Sequence, residues 1–103
     1  MTKAVWKYNL PFENAPTIKM KAGAQVLSAG LEAARSLDKP TIVIWALVDI
    51  DAPEEWVDFF IRGTGHTIGD RVGRHVSTLQ DDHFVWHVFE ALPLLREDDH
   101  AAH

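Results

Sequence analysis

The 103-residue chain contains no cysteine. This absence excludes a disulfide framework, a thiolate zinc site and a cysteine nucleophile. The chain also has no apolar run long enough to cross a membrane, and its first residues lead into an alternating segment without the apolar core of a signal peptide. We therefore expect a protein without membrane partners that works in a reducing cytoplasm.

Basic residues are few. Ten Lys and Arg stand against fifteen Asp and Glu, which gives a formal net charge of −5. A negative protein is repelled by nucleic acid and by anionic membrane surfaces. The charge therefore makes nucleic acid an unlikely partner and leaves proteins and small ligands as candidates.

Hydrophobic residues, in contrast, are plentiful at 47% of the chain, and they include four Trp and five Phe. Large aromatic rings bury much area per residue, which helps a small core that has no other staples. The length fits one domain. We predict a single β domain over residues 1–95, followed by a flexible acidic C-terminal tail over residues 96–103.

Alternating apolar and polar residues predict several short strands. In residues 4–10, for example, Trp6, Tyr8 and Leu10 alternate with polar side chains. Residues 41–48 are apolar on both faces, as in a central strand covered on both sides. The further strand-length segments are residues 17–21, 56–61, 75–80 and 83–91, the last two joined by a tight turn at Asp81-Asp82.

Residues 24–37 are ambiguous. Their apolar residues fit a helical stripe as well as one face of a strand, and local propensity favours the helix. Gly30 costs such a helix about 1 kcal/mol. The fold class predicted is mostly β, with six or seven short, largely antiparallel strands in a small sandwich or barrel and at most one short helix.

Five strings, in this order, resemble an uncharacterised family of small phage and prophage proteins of about a hundred residues or fewer. The strings are Trp6-Lys7-Tyr8, Ala24-Gln25-Val26-Leu27-Ser28, Trp45-Ala46-Leu47-Val48-Asp49, Gly63-Thr64-Gly65-His66 and His87-Val88-Phe89-Glu90. The resemblance spans about residues 5–90. It implies an origin and a fold but no mechanism, because the family has no established activity.

The resemblance also bears on the ambiguous segment. In family members the stretch matching residues 24–33 looks like a strand, so we expect a strand over residues 25–32, followed by one helical turn at most. A phage origin implies the cytoplasm of the host cell as the location. It makes an anti-defence role one candidate.

The turn at residues 63–66 is the main candidate for ligand binding. Glycines let a backbone approach a ligand and direct N–H groups at an anion, while a threonine hydroxyl and arginine guanidinium groups suit phosphate. The alternative is a turn that merely needs two glycines with positive φ. The predicted ligand-binding set is Arg62, Gly63, Thr64, Gly65, His66, Arg71 and Arg74.

A subunit interface is predicted on the strand at residues 56–61. Trp56 and Phe60 share one face and Val57, Phe59 and Ile61 share the other, so both faces of a strand in a small protein need a cover. Trp56 and Phe60 are the interface candidates, and we expect a homo-oligomer.

Catalytic machinery is hard to find in the sequence. His66, His75 and His87 could join in a metal site only through tertiary contacts, and His83 and His87 on one strand would lie about 13 Å apart. No catalytic residue, metal site or cofactor is predicted.

The function expected is therefore that of a non-enzymatic phage or prophage accessory protein. It would bind a host protein or a small anionic ligand, nucleotide-like in its most specific version. A structural virion subunit and a histidine-dependent metalloenzyme are the two alternatives.

Overall fold

A computed structural model of the chain describes residues 2–32, 40–82 and 84–92. The regular structure of these residues consists entirely of antiparallel β-strands. The strands are β1 (Lys3–Leu10), β2 (Thr17–Lys21), β3 (Gln25–Glu32), β4 (Thr41–Asp49), β5 (Glu54–Gly63), β6 (Val72–Gln80) and β7 (Val85–Ala91). The predicted mostly β fold with six or seven antiparallel strands is confirmed.

The strands form two sheets. One has three strands in the order β1-β4-β3, and the other has four in the order β2-β5-β7-β6. The two sheets are not closed into a barrel, which leaves the sandwich of the two predicted architectures. No helix of membrane-spanning length and apolarity occurs in the part of the chain that the structure describes.

The core lies between the two sheets. On β4, the central strand of its sheet, Ile42, Ile44, Ala46 and Val48 all face inward and are buried. Val43, on the opposite face, is also fully buried. This double burial confirms the prediction of a central strand, and the opposing sheet completes the core with Met20, Phe59, Ile61, Leu79 and Val88.

The ambiguous segment forms β3 at the bounds that the resemblance implied, Gln25–Glu32. Gly30 lies beside Val43 on β4, and a Cβ atom placed on Gly30 would come 2.8 Å from Cζ3 of Trp45. Gly30, which would weaken a helix, thus leaves room in β3 for the ring of Trp45. The helical turn expected after β3 and the C-terminal tail at 96–103 lie outside the described residues.

One corner of the sandwich is closed by side chains. The backbone N–H of Ala29 on β3 donates to Oγ of Ser77 on β6 at 2.9 Å, and Arg74 donates to the carbonyl of Val26 at 2.7 Å. These bonds occupy backbone groups of the β3 edge that would otherwise be open to pairing with another chain.

The hairpin that joins β6 and β7 is as tight as predicted, but its turn is displaced by one residue. Asp81 and Phe84 exchange backbone hydrogen bonds of 2.9 and 3.2 Å. The turn is therefore closed by Asp81 and Phe84, so Asp81 is a paired residue and not a central turn residue, and β7 begins at Val85.

Candidate functional site

The face of the four-stranded sheet that points away from the core carries the arginine, histidine and threonine side chains of the candidate site. Val57, Phe59 and Ile61 of β5 turn inward, so the alternate residues of β5 turn outward. The strand register places six outward residues in two rows across β5, β7 and β6. The rows are Phe60–Phe89–His75 and Arg62–His87–Thr78. An aromatic row thus borders a row of polar, hydrogen-bonding groups.

A connection between β5 and β6, which we name the strap (residues 64–71), crosses this outer face. The strap has to pass β7, because β7 lies between β5 and β6 in the sheet. Its first residue, Thr64, bonds His87, and its last, Arg71, lies over the ring of Phe60 at 6.0 Å. Both anchors are on the outer side, so the strap runs over the two rows.

A chain of four hydrogen-bonded side chains links the strap to β7 and β6. Oγ1 of Thr64 lies 2.9 Å from Nε2 of His87, and Nδ1 of His87 lies 3.0 Å from Oγ1 of Thr78. The same Thr78 oxygen lies 2.9 Å from Nε2 of His75. We call this set the histidine–threonine chain. It fixes both ring nitrogens of His87.

Arg62 differs from the other two predicted arginines. Its Nη1 donates to the carbonyl oxygens of Asn14, at 2.7 Å, and of its neighbour Ile61, at 3.0 Å, while the guanidinium stacks on Phe60 at 5.1 Å. Within the described residues, Arg62 forms no ion pair with a carboxylate. The groups that hold its guanidinium in the described part of the chain are therefore neutral.

Arg71 and Arg74, in contrast, are committed to protein partners. Arg71 bonds the carbonyl of Leu92 at 3.0 Å and the carboxylate of Asp58 at 3.4 Å. Arg74 bonds Glu90 at 2.9 Å in addition to its bond to β3. The structure therefore brings Arg71 near Arg62 through the shared Phe60 ring, whereas Arg74 belongs to the β3–β6 corner.

The backbone conformation of the glycine turn at residues 63–66 differs from the predicted one. Gly65 has a positive φ of 90°, but Gly63 does not. A Cβ atom on Gly63 would come 3.0 Å from Cε1 of His66, so a side chain at this position would crowd the imidazole ring and would not strain the backbone angle. The alternative of two positive-φ glycines is wrong for Gly63.

The backbone N–H groups of this turn are largely used within the protein. Gly63 donates to Nδ1 of His66 at 3.2 Å, Thr64 donates to the carbonyl of Val85 at 3.3 Å, and His66 donates to the carbonyl of Gly63 at 3.0 Å. Any binding by the turn therefore depends on its side chains. The ligand-binding role of residues 62–66 stays a prediction.

A groove lies at another place, at the end of the sandwich where β5 begins and β7 ends. It has a volume of about 530 Å³ and an apolar floor that includes Met20, Val26 and Val57. Its charged walls include Asp58 and Arg71, which are paired with each other. The groove offers apolar surface, and its lining also includes Lys21 and Glu55, neither of which forms an ion pair within the described residues.

The three histidines considered for a metal site are divided between two arrangements. His75 and His87 approach to 6.3 Å between ring centroids, while His66 packs on Gly63 with its Nδ1 occupied. In residues 2–32, 40–82 and 84–92, no group of three or more His, Asp or Glu side chains is arranged to hold a metal ion.

The two predicted interface residues are in unlike environments. Trp56 is 67% exposed, with the ammonium of Lys19 over its ring at 5.1 Å. Phe60 is half-buried, because Arg62 and Arg71 both lie on its ring. An interface at this strand would therefore centre on Trp56, and the role stays a prediction.

Sequence reasoning missed the partners that complete the site. Thr78 and Phe89 were not singled out, and His75 and His87 were considered only for metal. The available signal was strand alternation, since Thr78 and Gln80 share one face of β6, and His87 and Phe89 share one face of β7. Which strands are neighbours in the sheet was not visible in the chain order.

A model of a protein family described as a domain of unknown function, DUF7352, matches residues 1–96. Comparison of the chain with curated proteins found no match, and comparison with solved structures found none.

Proposed function

We propose a binding function for this chain, which belongs to the DUF7352 family. The protein binds a small anionic ligand that carries a planar ring, nucleotide-like in character, and it does so without catalysis. The ligand lies on the outer face of the four-stranded sheet beside the strap. The observation that carries this proposal is the position of Arg62, which is hydrogen-bonded to two carbonyls, forms no ion pair within the described residues and lies next to a row of aromatic rings.

The anionic group of the ligand binds Arg62. Because Nη1 already donates to two carbonyls, the edge formed by Nε and Nη2 is the one directed to a ligand. A guanidinium edge of this kind matches two oxygens of a phosphate or carboxylate. Its anchoring lowers the entropy lost on binding.

The planar part of the ligand packs on the aromatic row. Phe60 and Phe89 are half-buried, and His75, which meets Phe89 edge-to-face at 5.4 Å, is exposed. Stacking of a base on aromatic and guanidinium groups contributes about 1–3 kcal/mol. The hydroxyls of Thr64 and Thr78, both exposed, supply hydrogen bonds at the rim.

Isothermal titration with adenosine 5′-monophosphate, adenosine and inorganic phosphate tests this proposal. The monophosphate is expected to bind more tightly than either fragment, and Arg62→Met is expected to weaken it at least about tenfold, the effect of one lost charged hydrogen bond. Arg74→Met, which removes the same charge from the β3–β6 corner, is the matched control and should bind as the wild type does. Equal binding by both variants, or no binding of the monophosphate, would contradict the proposal.

A protein partner is the second candidate, favoured by Trp56. A tryptophan that is 67% exposed on a strand is an uncommon surface residue and a frequent anchor of interfaces. The partner is a second copy of the chain or a host protein. Light scattering during gel filtration should show an oligomer that Trp56→Ala dissociates, and a monomeric wild type would exclude self-association.

Origin and location follow from the five strings that resemble phage and prophage proteins. We propose that the protein acts in the cytoplasm of the host cell as an accessory factor, with counter-defence as one role. Fractionation of infected cells tests the location: the protein should be in the cytosolic fraction and not in purified virions. Its presence in virions would favour the structural alternative.

A further inference from the structure

We infer that the free edge of β1 is an interaction surface whose partner is β1 of a second copy of the chain. The two strands pair antiparallel about a two-fold axis at Trp6, and they join the two β1-β4-β3 sheets into one continuous sheet. The inference goes beyond the proposed function, because β1 belongs to the sheet that does not carry the ligand site.

The backbone groups at the free edge of β1 can be assigned from a hydrogen bond that extends the sheet. The N–H of Ile50 donates to the carbonyl of Thr2 at 2.9 Å, one position beyond the pair of Lys3 with Asp49. In an antiparallel ladder, every second residue bonds the neighbouring strand, and the residues between direct their N–H and C=O groups the other way. The free groups therefore belong to the odd-numbered residues Lys3, Val5, Lys7 and Asn9.

A bond at the opposite edge of the same sheet gives the same assignment. Ala29 on β3 lies opposite Ile44 on β4, but it donates its N–H to Ser77 in the other sheet, at 2.9 Å. Ile44 consequently directs its backbone groups to Tyr8, its partner on β1. The even-numbered residues of β1 bond β4, and the odd-numbered residues face outward.

The other three sheet edges are protected, each in a different way. The edge of β3 is bonded to Ser77 and Arg74, and the ladder of β6 contains two register shifts. The strand β2 has only five residues, and the N–H of Lys21 lies 3.5 Å from the hydroxyl of Tyr8. In the described part of the chain, β1 pairs with β4 alone, over eight residues and without a register shift.

The side chains of β1 also favour a partner. Trp6 is 40% exposed and Val5 is 56% exposed. Lysines often guard a free edge, but the ammonium of Lys7 is turned away from this one, because it bonds Glu32 on the far side of β4 at 2.8 Å. An edge with open backbone groups and exposed apolar side chains is suited to pairing with another strand.

A second copy of β1 fits this edge best with the axis at Trp6. Only odd-numbered residues have free backbone groups, so odd-numbered residues of the two copies must face each other. With this axis, Val5 faces Lys7 of the second copy and Lys3 faces Asn9. Four bonded pairs then form about eight backbone hydrogen bonds, and the two Trp6 rings meet at a non-hydrogen-bonded position, where opposing side chains are closest.

Other registers are disfavoured by charge or by length. An axis at Val5 sets Lys3 against Lys7 of the second copy, and an axis at Lys7 sets that lysine against its own copy. Like charges directly opposite each other destabilise an antiparallel pair. Axes further from the middle of β1 leave a shorter ladder. The axis at Trp6 avoids these costs and covers an exposed ring with its own copy.

Amide hydrogen exchange of the wild type, followed by NMR at several protein concentrations, tests the inference with an internal control. The N–H groups of Val5 and Lys7 should be protected in the dimer and should lose their protection on dilution. The N–H groups of Trp6 and Tyr8 bond β4, so they should stay protected at every concentration. Light scattering at the highest concentration should show at least twice the mass of one chain.

Substitutions at Trp6 test the register. Trp6→Lys and Trp6→Glu each place two like charges on the axis and should abolish the protection of Val5 and Lys7. A mixture of the two variants should restore it, because lysine then faces glutamate. Trp56→Lys is the matched control, since it makes the same change at an exposed tryptophan of the other sheet. It should leave the protection unchanged, whatever larger assembly Trp56 supports.

A monomeric wild type, or Val5 and Lys7 amides that exchange freely at every concentration, would overturn the inference and leave this edge to a different protein. Protection that survives Trp6→Lys, or that the mixture fails to restore, would exclude an axis at Trp6. The wild-type exchange pattern decides the inference even if a variant fails to fold. Ligand titrations of Arg62→Met test the proposed function separately.

Discussion

Replacement of Gly30 by alanine separates the two interpretations of residues 24–37. In a helix, Gly30→Ala would stabilise the protein by about 1 kcal/mol, because alanine has the higher helix propensity. In β3 the added Cβ atom would meet two atoms of the Trp45 ring, at 2.8 and 3.0 Å. The substitution is therefore expected to stabilise the protein if the segment is a helix and to destabilise it if the segment is β3.

The size of the effect follows from what the Trp45 ring must do. Separations this short force the ring to move, and crowding of a packed side chain costs about 1–3 kcal/mol. For a protein of this length, each kcal/mol lowers the melting temperature by about 4–8 °C. We expect Gly30→Ala to reduce the free energy of unfolding by about 1–3 kcal/mol. We also expect it to change the tryptophan fluorescence emission of the folded state.

Urea unfolding followed by circular dichroism measures this change, with two controls. Gly69→Ala adds a Cβ atom where nothing lies within 4 Å and should be neutral or slightly stabilising. Gly30→Ala in a Trp45→Leu background should cost less than in the wild type, because the ring is gone. A stabilising Gly30→Ala, or equal costs in the two backgrounds, would refute the packing of Gly30 under Trp45.

Three further experiments probe the fold. Ser77→Ala removes the acceptor of the part-buried Ala29 N–H and should lower the free energy of unfolding by about 1–3 kcal/mol in a urea titration; an unchanged midpoint would show that this bond does not hold the β3–β6 corner. Phe59→Ala empties a fully buried position and should cost about 3–5 kcal/mol by the same measurement, whereas a cost below about 1 kcal/mol would place Phe59 outside the core. Both side chains of the Lys7–Glu32 ion pair are exposed. A double-mutant cycle with Lys7→Met and Glu32→Gln should therefore give a coupling energy below about 1 kcal/mol that shrinks in 1 M NaCl. A larger coupling energy that does not depend on salt would contradict this expectation.

The strands were largely predictable because each carries its own burial pattern. β4 is apolar on both faces, and the structure buries both Ile44 and Val43. β5 alternates, and Phe59 and Ile61 share one face as expected, which the structure shows to be the core face. For β3 local propensity pointed to a helix, since the reason for Gly30 is the Trp45 ring of a neighbouring strand. Only the family resemblance favoured the strand.

The candidate site was predictable only in part, because it depends on the order of strands in the sheet. Arg62 and Thr64 stood out as a cation and a hydroxyl beside a glycine turn. Their partner His87 lies 23 residues from Thr64, and its position follows from the insertion of β7 between β5 and β6. No local pattern in the chain specifies that insertion. The glycine at position 63 likewise lies against the ring of His66 and has no positive φ, which the turn pattern alone did not indicate.

The most direct test of the proposed binding function is a two-dimensional amide NMR titration of the labelled protein with adenosine 5′-monophosphate. The largest shift changes are predicted at outer-face residues of the four-stranded sheet and at the first residue of the strap. These residues are Phe60, Arg62, Thr64, Thr78, His87 and Phe89. Changes confined to the groove around Met20 and Trp56, changes on the three-stranded sheet around Val5 and Leu47, or a spectrum that does not respond would contradict binding at this face.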